Sequence, residues 1–277
     1  EQALPVGFDS GLGRIKAWID EERPTPVAQK KGEVHPMDIH KDYLDFMLKF
    51  KGDYSNLNIV FDLSNGMANL FAKEVFGDEP VYLFDEMNGR FPNHEPNPLV
   101  AKNVEPLKQK VREKKADIGV IYDGDADRVM FVDEKGNFVA PDLIIAMMAL
   151  YFCDERGAKN PVVLQEIRSS KAVAEFLTQY GADVHTWRVG RAYAAPKLRD
   201  IDGLWGGELA GHYYFKDFFY SNSGPLSSLV VLRIVSALNK KGITFSEQIG
   251  KIAKYQNSGE INFRLEDKAG AMAAVCE

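Results

Sequence analysis

The chain has 277 residues, 45% of them apolar and 27% charged, with a formal net charge of -6. That length suits about two domains of ~100 to 150 residues, and dispersed lysines and arginines in an acidic average leave no broad basic face for DNA or RNA. Cys153 and Cys276, far apart, exclude a disulfide framework and a thiolate metal centre and are expected as free thiols. The longest apolar run, Leu143 to Phe152, is too short to cross a bilayer, and the N-terminus has no signal-peptide pattern, so a cytoplasmic protein without a membrane partner is expected.

Residues 1 to 37 mix glycine, proline and charge around a short amphipathic piece at Ile15 to Ile19, and read as a tail and linker. From Asp38, a candidate N-cap, apolar residues at helical spacing run through Phe50. A strand follows at Asn58 to Leu63, then the turn Ser64-Asn65-Gly66 and a helix-like Met67 to Phe76. Val81 to Phe84 reads as a strand, Leu99 to Lys114 as a helix and Asp117 to Tyr122 as a strand. Val129 to Asp133 and Phe138 to Val139 form a hairpin around Glu134-Lys135-Gly136-Asn137, which makes the sheet mixed. The pattern repeats with a helix at Leu143 to Phe152, a strand at Val162 to Gln165, a helix at Lys171 to Gln179 and a strand at Val184 to Arg188. Tyr193 to Arg199 has helical character, Gly203 to Gly207 runs into a glycine-rich loop, and Leu226 to Leu238 is a strong helix. After Gly259 a new strand and helix begin. The expected fold is α/β: two consecutive three-layer-like domains with mixed sheets, at 38 to 141 and 142 to 257, between partial flanking segments at 1 to 37 and 258 to 277.

Between the third strand and the hairpin lies Asp123-Gly124-Asp125-Ala126-Asp127-Arg128. Three carboxylates at alternate positions suit a hard divalent cation, and an arginine directly after them suits an anion beside the metal, most simply a phosphate. A solvated acidic turn is the plain alternative. Asp123, Asp125, Asp127 and Glu134 also fall in EF-hand register, but Arg128 stands where that motif needs glycine and the flanks read as strands rather than helices.

This loop resembles the Asp-Gly-Asp-x-Asp-Arg magnesium loop of the α-D-phosphohexomutases, the family of phosphoglucomutase and phosphomannomutase. The resemblance extends in family order to Asp62-Leu63-Ser64-Asn65-Gly66-Met67, Phe91-Pro92-Asn93-His94-Glu95-Pro96, Arg188-Val189-Gly190 and Gly206-Gly207-Glu208-Leu209-Ala210-Gly211-His212. It implies that 38 to 141 is the family's metal-binding second domain, 142 to 257 its sugar-recognising third domain, 1 to 37 a remnant of the first and 258 to 277 the start of the fourth. It further implies Mg2+ on Asp123, Asp125 and Asp127, Arg128 beside the reacting phosphate, and Glu208 and His212 on the sugar, with His212 near the reacting centre. Arg168 and Arg191 would line the cleft, and hexose phosphates and hexose 1,6-bisphosphate would be the ligands. Three positions depart from the family pattern: Ala210 where a serine is common, Arg191 where a histidine is common, and the neutral Ser221-Asn222-Ser223-Gly224.

The family's chemistry uses a phosphoserine in a Ser-His-Asn context, and no serine here has that context. Ser10 and Ser64 are both rejected as nucleophiles. The fourth-domain phosphate loop is also missing, although Gly259-Glu260-Ile261-Asn262 resembles its approach. The expectation is a phosphohexomutase as the complete protein, with these 277 residues inactive by themselves. A non-catalytic metal- and sugar-phosphate-binding module is the alternative, and a phosphatase with an aspartyl nucleophile at Asp123 a third reading.

Overall fold

Ile59-Val60-Phe61 and Ile118 to Tyr122 are nearly continuous apolar runs, and both become strands buried on their two faces. In the computed structural model, which describes residues 5–25, 27–256 and 263–276, they are the centre of a first sheet. It comprises β1 (Ile59–Asp62), β2 (Val81–Leu83), β3 (Ile118–Tyr122), β4 (Val129–Asp133) and β5 (Phe138–Val139), in the order β2-β1-β3-β4-β5. The first three strands are parallel, and β4 and β5 return antiparallel, with Tyr122 opposite Val129 across the acidic turn.

The second sheet repeats this plan. Its strands are β6 (Val162–Glu166), β7 (Asp183–Trp187), β8 (Trp205–Gly207), β9 (Tyr213–Phe215) and β10 (Ser221–Asn222). The order β7-β6-β8-β9-β10 is that of the first sheet, strand for strand, again with a parallel trio and an antiparallel return. Two mixed sheets were legible in the sequence. The β9–β10 return was not, because Tyr213-Tyr214-Phe215 is buried throughout and carries no alternation.

Ten helices are described: α1 (Gly13–Asp20), α2 (His40–Leu48), α3 (Ala72–Phe76), α4 (Ala101–Lys114), α5 (Pro141–Met147), α6 (Lys171–Leu177), α7 (Arg191–Asp200), α8 (Gly224–Asn239), α9 (Phe245–Ile252) and α10 (Lys268–Cys276). Asp38 sits one residue before the position at which α2 is capped, and its carboxylate accepts the His40 N–H at 2.9 Å. The helix expected from Leu143 starts two residues earlier at Pro141, and its run widens into a looser turn over Leu150–Glu155. α9 was not expected; its signal is the capping box Thr244-x-x-Glu247, whose two reciprocal bonds are both made. The strand expected after Gly259, with Gly259 to Asn262, lies outside the described residues. No described helix is long and apolar enough to cross a membrane.

α4 covers the outer face of the first sheet through Val104, Leu107 and Val111, and α7 covers the outer face of the second through Ala194, Ala195 and Leu198. Between the inner faces lies one continuous core. Phe61, Phe131, Ile145, Trp205, Tyr213 and the apolar face of α8 all belong to it. α8 follows the second sheet in sequence yet packs against β3 and β4 of the first. The two sheets are therefore distinct in topology and joined in packing.

Candidate active site

The turns that leave the third strand of each sheet meet at one place. In the first, Asp123 accepts the Arg128 Nε at 2.6 Å and the Arg128 backbone N–H at 3.2 Å, which curls the turn on itself. Ala126 sits in the left-handed region at φ +59°, a conformation that costs roughly 1 kcal/mol for a residue with a Cβ. Two backbone bonds hold it there: from outside the turn, the Gly224 N–H donates to its carbonyl at 3.2 Å, and within the turn its own N–H donates to the Asp123 carbonyl at 3.3 Å.

The turn after β1 buttresses the acidic turn from below. Ser64 Oγ donates to the Tyr122 carbonyl at 2.6 Å, and Met67 N–H to the Gly124 carbonyl at 2.9 Å. A Cβ on Gly66 would stand 2.6 Å from the Gly124 carbonyl oxygen, so only glycine lets these two backbones approach this closely. The Ser64 hydroxyl is buried and committed to that carbonyl.

The result brings one oxygen from each of Asp123, Asp125 and Asp127 within 4.8 Å of the others. Asp123 is buried, Asp127 half-buried and Asp125 exposed. An all-oxygen set of three carboxylates on a backbone fixed from two sides is the donor chemistry of a hard divalent cation such as Mg2+, and the residues fit that group. Burial raises the Asp123 pKa against the opposing pull of Arg128. The strands on both sides remove the EF-hand reading.

The second turn, Glu208 to His212, closes the β8–β9 hairpin: Glu208 N–H donates to the His212 carbonyl at 2.9 Å. Gly211, at φ +87°, lies against the start of β4, where its carbonyl accepts the Val129 N–H at 3.0 Å. The sugar-type loop is thus stitched to the strand that leaves the metal-type loop. Across this seam His212 stands between two carboxylates, with Nδ1 3.0 Å from Glu208 and Nε2 3.4 Å from Asp127. Burial alone would lower its pKa, but the two carboxylates outweigh it and push it up to about 9. His212, with Asn222 and Arg191, holds Asp127 down at about 2, burial notwithstanding.

Glu208 has a different immediate setting from the one expected. Its carboxylate is buried and accepts from Gly190 N–H at 2.6 Å, Tyr214 OH at 2.8 Å and the imidazole of His212. In this arrangement it holds His212 and the Gly190 turn in place, while His212 faces the aspartates. Arg191 reaches Asp127 at 3.1 Å, so it joins the site from the first turn of α7. Arg168 bonds the buried Glu166 at the end of β6 through two nitrogens, Nε at 2.5 Å and Nη2 at 3.0 Å.

Two features escaped the sequence reading. Asn222 donates to both the carbonyl and the side chain of Asp127, at 3.1 Å each. His94 places Nε2 3.2 Å from both oxygens of the fully buried Asp62 and Nδ1 2.8 Å from the Glu95 carbonyl. Both pairings join distant segments, so no local pattern announces them.

Comparison with known proteins gives these turns a family. The description "Phosphoglucomutase/phosphomannomutase, alpha/beta/alpha domain II" matches residues 41–136, and domain III of the same family matches residues 140–255. The chain belongs to the α-D-phosphohexomutase family. A phosphomannomutase of Methanocaldococcus jannaschii is 32% identical over 87% of the chain, which spans 53% of that relative. A phosphoglucomutase/phosphomannomutase family protein of Burkholderia thailandensis superposes with a TM-score of 0.73 at 23% identity, over 91% of this chain and 53% of that one. The N-acetylphosphoglucosamine mutase of Aspergillus fumigatus, solved with GlcNAc-6P and magnesium, superposes at 0.54 with 16% identity over 75% of this chain and 52% of that one. The chain therefore covers about half the length of these family members, and among them are mutases.

Proposed function

We propose that the chain forms the metal- and sugar-binding centre of a phosphohexomutase that moves phosphate between C1 and C6 of a hexose through a phosphoserine and a bisphosphorylated intermediate. The observation that carries this reading is the contact between the two turns: the aspartate cluster and the glycine-rich Glu208 to His212 loop meet at Asp127 and His212. Asp123, Asp125 and Asp127 would hold Mg2+, which supplies charge neutralisation at a phosphoryl oxygen.

The side chains then divide the work. Arg128 and Arg191 bring permanent positive charge to the cleft beside the carboxylates, where a transferring phosphoryl group needs donors. His212, kept protonated between Glu208 and Asp127, holds a proton at Nε2 for a sugar oxygen. Glu208 fixes its orientation. Hexose phosphates and hexose 1,6-bisphosphate are the ligands this arrangement suits; the Aspergillus enzyme solved with GlcNAc-6P was also solved, as a variant, with glucose 1,6-bisphosphate.

No serine in this chain stands in a Ser-His-Asn context, so these 277 residues are expected to bind ligand without turning it over. Assaying glucose 1-phosphate to glucose 6-phosphate conversion tests this, and sustained turnover by the chain alone would overturn it. The alternative reading is a non-catalytic binding module for a metal and a sugar phosphate. Adding a protein that supplies the phosphoserine segment separates the two readings, since only the mutase gains activity.

A further inference from the structure

The three carboxylates do not offer equal access to a cation. Asp123 spends both oxygens on Arg128. On Asp127, Oδ1 faces His212 Nε2 at 3.4 Å, and Oδ2 accepts from Arg191 Nη1 and Asn222 Nδ2, each at 3.1 Å. A divalent cation entering the cluster must take lone pairs that these donors now use.

The donors differ in how they are tethered. Arg128 belongs to the turn itself and bonds Asp123 through side chain and backbone together. His212 is anchored from behind by Glu208, and Asn222 keeps a second bond to the Asp127 carbonyl. Arg191 comes from the other sheet's helix and reaches the loop through Nη1. Its side chain is 49% exposed, against 26% for Arg128 and 16% for His212. A guanidinium and a divalent cation repel each other and compete for the same oxygen, and of the positive groups on the cluster Arg191, the most exposed, has the most open solvent to withdraw into.

We propose that Arg191 is a latch on Asp127 which a divalent cation displaces, freeing the guanidinium to take a phosphate oxyanion in the cleft, so that metal and anion bind with positive coupling. The coupling needs no movement of the backbone. It also explains what an arginine contributes at this position, because a permanent charge, unlike an imidazole, competes with the metal at every working pH. The inference rests on the metal and hexose-phosphate reading above.

Calorimetric titration of Mg2+ into the 277-residue chain, alone and with glucose 1-phosphate or inorganic phosphate, tests it in wild type, Arg191→Gln and Arg191→Lys. With the competitor removed, Arg191→Gln binds Mg2+ alone about tenfold more tightly. Wild type binds glucose 1-phosphate about tenfold more tightly with Mg2+ than without, and that factor falls toward one in Arg191→Gln. Arg191→Lys, which keeps a charge on a different stem, retains part of the coupling. Unchanged or weaker Mg2+ binding by Arg191→Gln, or a coupling factor equal to that of wild type, overturns the latch. So does the failure of both anions to bind wild type with Mg2+. If inorganic phosphate shows the coupling and glucose 1-phosphate does not bind, the latch stands and the sugar reading falls.

Discussion

Superimposed in thought strand by strand, the two sheets differ chiefly in what they do with a carboxylate. Each places its strands in the same order, and each crosses from the second strand to the third by a helix whose sixth residue is proline, Pro106 in α4 and Pro196 in α7. Each ends its first strand on a buried acid, Asp62 or Glu166. Each puts its chemistry on the turn after the third strand. In the first sheet that turn presents Asp125 and Asp127 outward; in the second it folds Glu208 inward onto three donors. One backbone corner thus makes a ligand set or a scaffold for a histidine, and side-chain satisfaction decides which.

The buried acids give the strongest way to break the comparison. Asp62 is held by His94 and Glu166 by Arg168, and removing a partner leaves an uncompensated charge. His94→Ala should lower unfolding free energy by about 3 to 5 kcal/mol and Arg168→Ala, whose side chain is 40% exposed, by about 1 to 3 kcal/mol, measured by urea denaturation. A loss below about 1 kcal/mol in either would show that its acid finds another donor.

Next in size is metal affinity. Asp127→Asn should weaken Mg2+ binding about 100-fold, or ~2.8 kcal/mol, whereas Glu208→Gln on the equivalent turn should leave it within about threefold. Equal losses would mean that the scaffold carboxylate is itself part of the metal site. The turn glycines are a smaller test. Gly66→Ala drives a Cβ to 2.6 Å from the Gly124 carbonyl, and Gly211→Ala puts one 3.0 Å from the Val129 carbonyl at positive φ. Both should cost about 1 to 3 kcal/mol, visible as a lower Tm, with Mg2+ binding disturbed more by the first.

The smallest effect separates the two acids by pH. Burial pulls the His94 pKa down, but its hydrogen bonds to Asp62 and the Glu95 carbonyl prevail and raise it. Its folded value therefore lies above the unfolded one near ~6.5. The stability it contributes is complete below that and fades as pH climbs through the folded value. His94→Gln should remove this slope, while Arg168→Gln should leave it intact; a slope that survives His94→Gln belongs to another group.

Much of this was legible in the residues because it is local. The acidic turn and the apolar strands β3 and β6 announce themselves within a few positions, whereas β8 forms in a stretch read only as running into a glycine-rich loop. What stayed hidden depends on distant partners. The engagement of Glu208 requires Gly190 and Tyr214, and the Asn222 bond requires Asp127, almost a hundred residues away. Arg168 was placed in the cleft by the family resemblance, and its bond to the buried acid two residues before it is a contact that the resemblance did not announce. Asp125, Asp127, His212 and Arg191 do converge as a group, which the order of the motifs implied and their spacing could not.

The bond between Val129 N–H and the Gly211 carbonyl, with its companion between Gly224 N–H and the Ala126 carbonyl, has a consequence for engineering. A chimera that swaps one sheet for its counterpart from a distant relative, cut in the loop near residue 140, would keep both topologies. It would also have to reproduce two backbone bonds and the seat of α8 on β3 and β4 across the graft. Such recombinants should succeed only when these neighbouring segments travel together, so the inheritable module here is larger than either sheet.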